Sequence, residues 1–378
     1  MNHKTWVEID ERALTHNIVA LKGLLSDGAK FCAVLKANAY GHGFVEVARI
    51  AARCGVDAFA VDNVDEALTL RAMLPSALIL VLGYTLKDRY ADAINNEIHL
   101  TVYDKDQIVA LEYAGAEHAK TAFIHLKIET GTARQGVLPD HLYDVLEVIG
   151  ASSHVALAGV STHFANIEDT SDTTFANRQF SVFQDVVGAI RNAGYQPEWI
   201  HCSNSAATIL YPDTHGTLVR VGIAMYGIWP SDIVEQTVRR HNVPLELEAV
   251  LSWKTRIAQV KSLPAGTPIS YGMTEVLRKH SRVAVLPVGY WDGFDRGLSS
   301  VAEVLVSGIR CKVLGRVCMN MVMVDVSQVP QAEPEQEVVL IGRSGRFVVT
   351  AEEMAAHAGT INYETLTRIN PLLPRIVL

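Results

Sequence analysis

A lysine lies directly after an apolar run near the start of the chain. In "KFCAVLKANAYGHGF", residues 30–44, the run from Phe31 to Leu35 ends in Lys36. A lysine amine at the mouth of a buried strand can form a Schiff base with an aldehyde. The alternative is an ordinary exposed loop lysine. The apolar residues before Lys36 and the segment "ANAYGHG" after it favour the first interpretation.

Further polar side chains lie near the ends of later apolar runs. They are Arg134, His163, Asn204, Ser205 and Arg220, and Gly222 follows the last of them. With Lys36 these make six polar side chains. Bringing all six to one place requires strands whose carboxyl ends meet at one mouth, as in a parallel barrel.

The first 230 residues alternate short apolar runs with helical stretches such as 43–55 and 64–74. We predict strands over 31–37, 57–63, 77–83, 99–104, 122–130, 156–164, 199–205 and 218–227. Eight strands with helical crossovers predict an N-terminal (β/α)8 TIM-type barrel of the α/β class. A doubly wound open sheet is the alternative. The count of eight and the absence of GxGxxG after the first strand favour the barrel.

The pattern changes after about residue 240. Strand-like runs follow one another closely, with Gly and Pro turns and few helical windows, which indicates a C-terminal, mostly antiparallel β domain. We therefore predict two domains, 1–240 and 241–378.

The loops after strands 7 and 8 of such a barrel are the usual phosphate site. Here they offer the Ser205 hydroxyl and the backbone N–H groups near Gly222 and Ile223. A phosphate accepts hydrogen bonds from such groups, and glycine permits the close backbone approach. An aldehyde that also carries a phosphate is pyridoxal phosphate, so the layout indicates this cofactor, with Lys36 as its partner.

Composition excludes several other classes. The formal charge of −8 argues against a nucleic-acid partner, which would require a basic face. The start lacks the apolar core of a secretory signal, and the longest apolar stretch, "SALILVLGY", is too short to cross a membrane. We expect a cytoplasmic protein. The five cysteines form no CxxC pair, so we predict no metal site and assign them to packing.

Beyond these patterns, the chain resembles the fold-type III, pyridoxal-phosphate alanine racemases over nearly its whole length. "AVLKANAYGHG" is similar to the cofactor-lysine signature of that family. "NSAA", "VRVGIAMYG", "ISYG", "LPVGYWDGF", "GRVCMN" and "INYET" follow in the family's order and spacing. The resemblance implies racemisation of alanine for D-alanine biosynthesis and the peptidoglycan of the cell wall.

The resemblance also assigns roles to residues. Lys36 and Tyr271 correspond to the two catalytic bases that face opposite sides of the α-carbon. Arg220 corresponds to the arginine at the pyridine nitrogen. Because Arg keeps its proton, the ring is a weaker electron sink, and side reactions should be suppressed. The other residues implied at the cofactor are Tyr40, His163, Asn204, Ser205, Gly222, Ile223 and Tyr363. Taken alone, His163 would also fit a core histidine, and Tyr271 would fit an ordinary strand aromatic.

The same resemblance describes the substrate side. Arg134 and Met319 correspond to residues that bind the amino-acid substrate, and Tyr290 and Arg296 to residues at its entrance. Lys127 corresponds to a lysine that some members carbamylate. The family places Tyr271 and Met319 in the partner subunit's site, which implies a homodimer with shared active sites.

Several positions depart from the family pattern. They are Asn320 for the usual Asp, Thr132 and Ala133 in "ETGTAR", Trp291 in "GYWD" and Val221. Loss of the charge at Asn320 leaves open a racemase of another small amino acid such as serine. A fold-type III decarboxylase is disfavoured by "VRVGIAMYG" and Tyr271. A non-catalytic single-barrel protein is disfavoured by the additional β domain.

Overall fold

The structure, a computed structural model, describes residues 2–378. Strands lie at Thr5–Ile9 (β1), Lys30–Val34 (β2), Ala58–Val61 (β3), Leu78–Val81 (β4), His99–Val102 (β5), Ala122–Lys127 (β6), Val155–Ser161 (β7), Trp199–His201 (β8), Leu218–Val221 (β9), Leu251–Arg256 (β10), Gln259–Leu263 (β11), Pro268–Ile269 (β12), Glu275–Val276 (β13), Ser281–Leu286 (β14), Glu303–Val306 (β15), Ile309–Leu314 (β16), Val322–Asp325 (β17), Glu337–Ser344 (β18), Phe347–Val349 (β19) and Arg375–Val377 (β20).

Helical segments lie at Glu11–Lys22 (α1), Lys36–Tyr40 (α2), Phe44–Arg53 (α3), Val64–Met73 (α4), Tyr90–Asn95 (α5), Lys105–His118 (α6), Leu142–Ala151 (α7), Thr174–Asn192 (α8), Ser205–Leu210 (α9), Asp232–Arg240 (α10), Ala351–Ala358 (α11) and Asn362–Thr367 (α12). The chain forms two compact units. The barrel unit comprises Leu14–Ala37 and Ala48–Glu248, and the sheet unit comprises residues 2–13, Asn38–Val47 and Ala249–Leu378.

The barrel unit contains one parallel sheet in the order β8-β7-β6-β5-β4-β3-β2-β9. Its two end strands meet through backbone hydrogen bonds. Thr217 N–H donates to the Ile200 carbonyl (2.9 Å), and Arg220 N–H donates to the Ser203 carbonyl (3.0 Å). The sheet is therefore a nearly closed eight-stranded barrel, which confirms the predicted fold class. Each strand ends at least two residues before its predicted end.

Helix α8 illustrates why the crossovers are helical. Its buried positions include Ala176, Gln179, Phe183, Val187 and Ile190, spaced three or four residues apart. This spacing places them on one face of a helix, where they can pack against the sheet.

The sheet unit is mostly antiparallel, in the order β11-β14-β17-β16-β15-β18-β10-β1-β20. All five residues of β1 are buried, and the strand pairs antiparallel with β10 and parallel with β20. The N-terminal strand thus belongs to this sheet, whereas the predicted boundaries had assigned all of 1–240 to the barrel. Residues 38–47 also join this unit, where Arg375 of β20 donates to the Gly41 carbonyl (2.9 Å).

No helix within residues 2–378 is long and apolar enough to cross a lipid bilayer.

Candidate active site

Lys36 begins a short left-handed turn. Four consecutive non-glycine residues, Ala37 to Tyr40, have φ between 52° and 56°. For such residues this conformation costs about 1–2 kcal/mol each, so surrounding contacts must hold it. Ala37 N–H donates to Glu66 Oε1 (3.1 Å), and the Asn38 side-chain oxygen accepts from Phe44 N–H (2.9 Å). Strain maintained in this way is typical of functional sites. It also explains why the strand predicted over 31–37 ends at Val34.

Arg220, on β9, is 6% exposed and is held through both terminal nitrogens. One terminal nitrogen donates to His201 Nδ1 (2.5 Å) and the His201 carbonyl (2.9 Å). The other donates to the carbonyls of Thr162 (2.9 Å) and Cys202 (3.2 Å) and to His163 Nδ1 (3.3 Å). All five acceptors are neutral, so the guanidinium charge is not cancelled. Within residues 2–378 its Nε–H makes no hydrogen bond and remains available to a ligand.

Other cations lie close enough to Arg220 to interact electrostatically. Burial and the charges of Arg220, Lys127, Arg134 and Lys36 hold the pKa of His163 well below its usual range. This histidine is therefore neutral and accepts from Arg220. Burial, Arg220 and Arg134 likewise hold the pKa of Lys127 well below its usual range. We call the cations Lys36, Arg134 and Arg220, together with the Lys127 amine beside them, the cationic mouth. It suits ligands with more than one negative charge.

The loop that carries Arg134 is organised by Glu129, which the sequence analysis did not select. Its carboxylate accepts from the N–H groups of Gly131 (2.5 Å) and Arg134 (3.2 Å). Burial raises the pKa of Glu129, but backbone donors from residues 131 to 134 outweigh burial, and the net shift is downward. An acidic residue directly before a Gly-containing loop was the available signal, because such carboxylates often accept local backbone hydrogen bonds.

A hydrogen bond joins Ser205 and Gly222, and Ile223 follows Gly222 in the chain. Gly222 N–H donates to Ser205 Oγ (3.1 Å). Ile223 begins a 3-10 turn, so its N–H has no acceptor within that turn. Asn204 has a structural role here, since its side chain caps α9 by accepting from Ala207 N–H (3.0 Å). Hydroxyl and backbone donors at this position fit a phosphate.

The remaining selected residues lie in the sheet unit. The rings of Tyr40 and Tyr363 are 6.1 Å apart, and burial raises the pKa of Tyr40 to about 12. Tyr290 N–H donates to the Cys318 carbonyl (3.1 Å), which places Tyr290 beside the loop of Met319. Tyr271 is 72% exposed, and its neighbour Ser270 lies 3.5 Å from Cys318 Sγ. Arg296 begins a 3-10 turn over Arg296–Leu298.

His201 supplies two of the acceptors that hold Arg220 and was not among the predicted site residues. His125, which contacts His201 (2.7 Å), was also not predicted. A signal was present, because His125 lies two residues before Lys127 on β6 and so faces the same side of the sheet.

Two family models together match most of the chain. Residues 9–230 match the alanine racemase N-terminal domain, and residues 250–377 match the alanine racemase C-terminal domain. The chain belongs to the alanine racemase family. The second match covers the region that a single-barrel cofactor-binding protein would lack.

Individual relatives cover almost all of the chain. An alanine racemase from Desulfovibrio desulfuricans is 39% identical over 98% of this chain and 97% of its own length. The crystal structure of alanine racemase from Bacillus anthracis with bound L-Ala-P has a TM-score of 0.93 and 34% identity, covering all of this chain and 96% of that one. A histidine racemase from Leuconostoc mesenteroides has a TM-score of 0.89 and 27% identity, covering all of this chain and 98% of that one.

Proposed function

We propose that this protein interconverts L- and D-alanine with pyridoxal 5'-phosphate as its cofactor. The observation that carries the proposal is the buried Arg220, which has five neutral acceptors and an Nε–H left for a ligand. Burying a charge without an ionic partner is costly, and an anionic ligand would offset that cost. The supply of D-alanine for peptidoglycan would place the enzyme in the cytoplasm.

The donor groups in the barrel unit fit the cofactor. Lys36 would hold its aldehyde carbon, and Ser205, Gly222 and Ile223 would hold its phosphate. Arg220 would face the ring nitrogen, supported by His163, and Asn204 would hold the start of α9, where Ser205 lies. When bound, the cofactor supplies an electron sink that stabilises negative charge at the α-carbon.

Lys36 and Tyr271 would move the proton. One base removes the α-proton from one face, and the other returns a proton to the opposite face, so the charge balance is unchanged over a turnover. Arg134 would orient the substrate carboxylate through its two-pronged donor set. Arg220, which stays protonated near neutral pH, would donate a hydrogen bond without transferring its proton.

We infer a homodimer in which Tyr271 and Met319 complete the partner's site, with Tyr290 and Arg296 at the entrance. The support is exposure, since Tyr271 and Met319 are 72% and 55% exposed, and the exposed Trp291 donates its N–H to the Met319 carbonyl (3.0 Å). Large apolar side chains grouped at a surface commonly mark an interface.

Mixing two inactive variants tests the shared site. Lys36→Ala and Tyr271→Phe chains, unfolded and refolded together, should form mixed dimers with one intact site each. Random pairing in a twofold dimer predicts roughly a quarter of wild-type activity. Activity that stays at the level of the separate variants would show that both bases come from one chain.

We also propose that Lys127 is carbamylated. Its depressed pKa provides a neutral amine, which attacks carbon dioxide and releases one proton. The resulting anion would pair with Arg134, whereas a second cation there would repel it. A carbamate carbon signal in 13C-bicarbonate that disappears in Lys127→Met would support this modification. A wild-type spectrum without that signal would contradict it.

The decisive experiment records visible absorption with pyridoxal phosphate and then product chirality from L-alanine, L-serine, L-lysine and L-histidine. A bound-cofactor band with D-alanine formed fastest is the expected result. Histidine is included because the similar Leuconostoc structure is a histidine racemase. Faster turnover of serine, lysine or histidine would keep the chemistry and change the substrate. The absence of any band would overturn the role of Lys36.

A further inference from the structure

Three histidines form a continuous hydrogen-bonded row behind Arg220. His99 Nδ1 lies 3.0 Å from His125 Nε2, His125 Nδ1 lies 2.7 Å from His201 Nε2, and His201 Nδ1 lies 2.5 Å from the Arg220 guanidinium. We call His99, His125 and His201 the histidine row. His125 and His201 are almost fully buried, at 0% and 1% exposure. The row and Arg220 together therefore connect four strands, β5, β6, β8 and β9, inside the barrel unit.

Only one placement of the ring protons satisfies every contact while all three rings stay neutral. Arg220 can only donate, so His201 Nδ1 must accept, and the proton of His201 is then on Nε2. That proton is donated to His125 Nδ1, which leaves the His125 proton on Nε2 as the donor to His99 Nδ1. One permanent cation thus fixes the tautomer of all three rings.

The strand between β6 and β8 is shaped to let the row pass. On β7, Gly159 pairs with His125, and a Cβ at this position would lie 2.5 Å from His125 Nδ1, the atom that accepts from His201. The ladder between β6 and β7 also shifts register between Ile124 and His125. Glycine and a bulge inside a strand both weaken it, and they commonly mark a site where another group approaches closely.

A metal site does not explain the row. Within residues 2–378 no group of three or more His, Cys, Asp or Glu side chains could hold a metal ion. Each facing pair of ring nitrogens is also close enough for a direct hydrogen bond, at 2.7 and 3.0 Å. The row is a set of hydrogen bonds between side chains.

We propose that His125 and His99, with the space provided by Gly159, are positioning residues that orient the Arg220 guanidinium through His201. This inference rests on the function proposed above, in which Arg220 donates to the cofactor ring. The row locks the His201 ring, and His201 holds one guanidinium nitrogen through both Nδ1 and its carbonyl. Without the row, His201 could rotate or change tautomer, and Arg220 would lose its aligned acceptor.

The first test reads the tautomers directly. The full-length protein, labelled with 15N-histidine, is studied by NMR with pyridoxal phosphate bound and again after its removal, and His125→Gln identifies the signals of the row. We expect His99, His125 and His201 to carry a proton on Nε2 and none on Nδ1, in both preparations. An Nδ1–H tautomer or a doubly protonated ring at any of the three would overturn the proposal, whatever the protein catalyses.

The second test breaks the row without removing a histidine. Gly159→Ala introduces one methyl group against His125, and Gly188→Ala in α8, where a Cβ would contact nothing, is the matched control. We expect kcat for alanine to fall about tenfold in Gly159→Ala, the scale of effect for residues behind a ligand-contacting group. We expect an unchanged KM, a shifted cofactor absorption band and a His201 signal that no longer reports one tautomer. The control should resemble wild type.

His125→Gln and His125→Leu separate alignment from packing. Gln can accept from His201 and donate to His99, so it should retain more of kcat and of the wild-type band than Leu, even where both have similar melting temperatures. Equal effects of the two variants would overturn the positioning role. A wild-type protein that binds no cofactor would instead refute the proposed function, and the tautomer result would remain valid.

Discussion

The cationic mouth and the exposed loops of the sheet unit differ in how their residues are held. Arg220 is 6% exposed and has five acceptors, and Arg134 lies on a loop bound by Glu129. Tyr271 and Met319 are 72% and 55% exposed. The first group is fixed within one chain before any ligand binds, which is how electrostatic sites reach their full effect. The second group would become enclosed only against another surface.

The largest expected effect is on kcat, and it comes from Tyr271 in the exposed loops of the sheet unit. Tyr271→Phe should lower kcat for alanine by about 10²–10⁴-fold, the usual loss when a general acid–base group is removed. Stability should change by less than about 0.5 kcal/mol, because the hydroxyl of an exposed residue contributes little to folding. Steady-state kinetics and urea unfolding measure the two quantities.

Tyr113→Phe is the matched control, since Tyr113 is 73% exposed but lies on α6 of the barrel unit. Its kcat should equal that of the wild type. If Tyr271→Phe also kept full kcat, Tyr271 would not be a base. The exposed loops of the sheet unit would then contribute no catalytic group through this residue.

An intermediate effect, on the stability of the fold, should come from the buried histidines of the barrel unit when the pH is lowered. Burial is the main cause that lowers the pKa of His99 to about 4 and holds those of His125, His163 and His201 well below the usual value. In the unfolded chain these rings bind protons near pH 6.5, whereas the folded rings do not. Unfolding therefore takes up protons, and stability falls as the pH drops below 6.5, until the folded pKa values are reached.

Each of these histidines should contribute about 1.4 kcal/mol per pH unit within that window. Urea midpoints at pH 7.5, 6.5 and 5.5 measure the loss, which should begin below pH 6.5. His125→Gln removes one titrating group and should reduce the slope. A midpoint that stays constant to pH 5.5 would mean that these rings titrate normally in the folded protein.

The sequence predicted the parts of the fold that depend on local patterns. Alternating runs identified eight barrel strands, and the change in pattern after residue 240 identified the second sheet. The position of β1 could not be read in this way, because its place between β10 and β20 depends on partners about 240 and 370 residues away. Long-range pairing of this kind leaves no local signal.

The same distinction applies to the candidate site residues of the barrel unit. Lys36, Arg134, His163 and Arg220 could be selected because each follows or lies in an apolar strand. The left-handed turn after Lys36 was not predicted, because Ala37 to Tyr40 contain no glycine, and of the four only Asn38 is a residue type enriched at positive φ. His201 and Gly159 were missed because their importance comes from cross-strand contacts.

The smallest expected effect concerns the loop of Arg134. Ala133 has a φ of 53°, in the left-handed region that favours glycine. Ala133→Gly should relieve about 1–2 kcal/mol of backbone strain. Glycine also gives the unfolded chain about 0.5–1 kcal/mol more conformational entropy to lose on folding. The net gain in unfolding free energy should therefore be about 0.5 kcal/mol.

Ala119→Gly is the matched control, because Ala119 has φ 49° at the end of α6. It should give a similar small gain in stability and leave the KM for alanine unchanged. Ala133→Gly should raise that KM modestly, because a more flexible loop holds Arg134 less firmly. Glu129 limits the rise, since its carboxylate still accepts from Gly131 and Arg134. A KM that did not change would show that Glu129 alone is sufficient to fix Arg134, and that the cationic mouth tolerates Ala133 without a cost to binding.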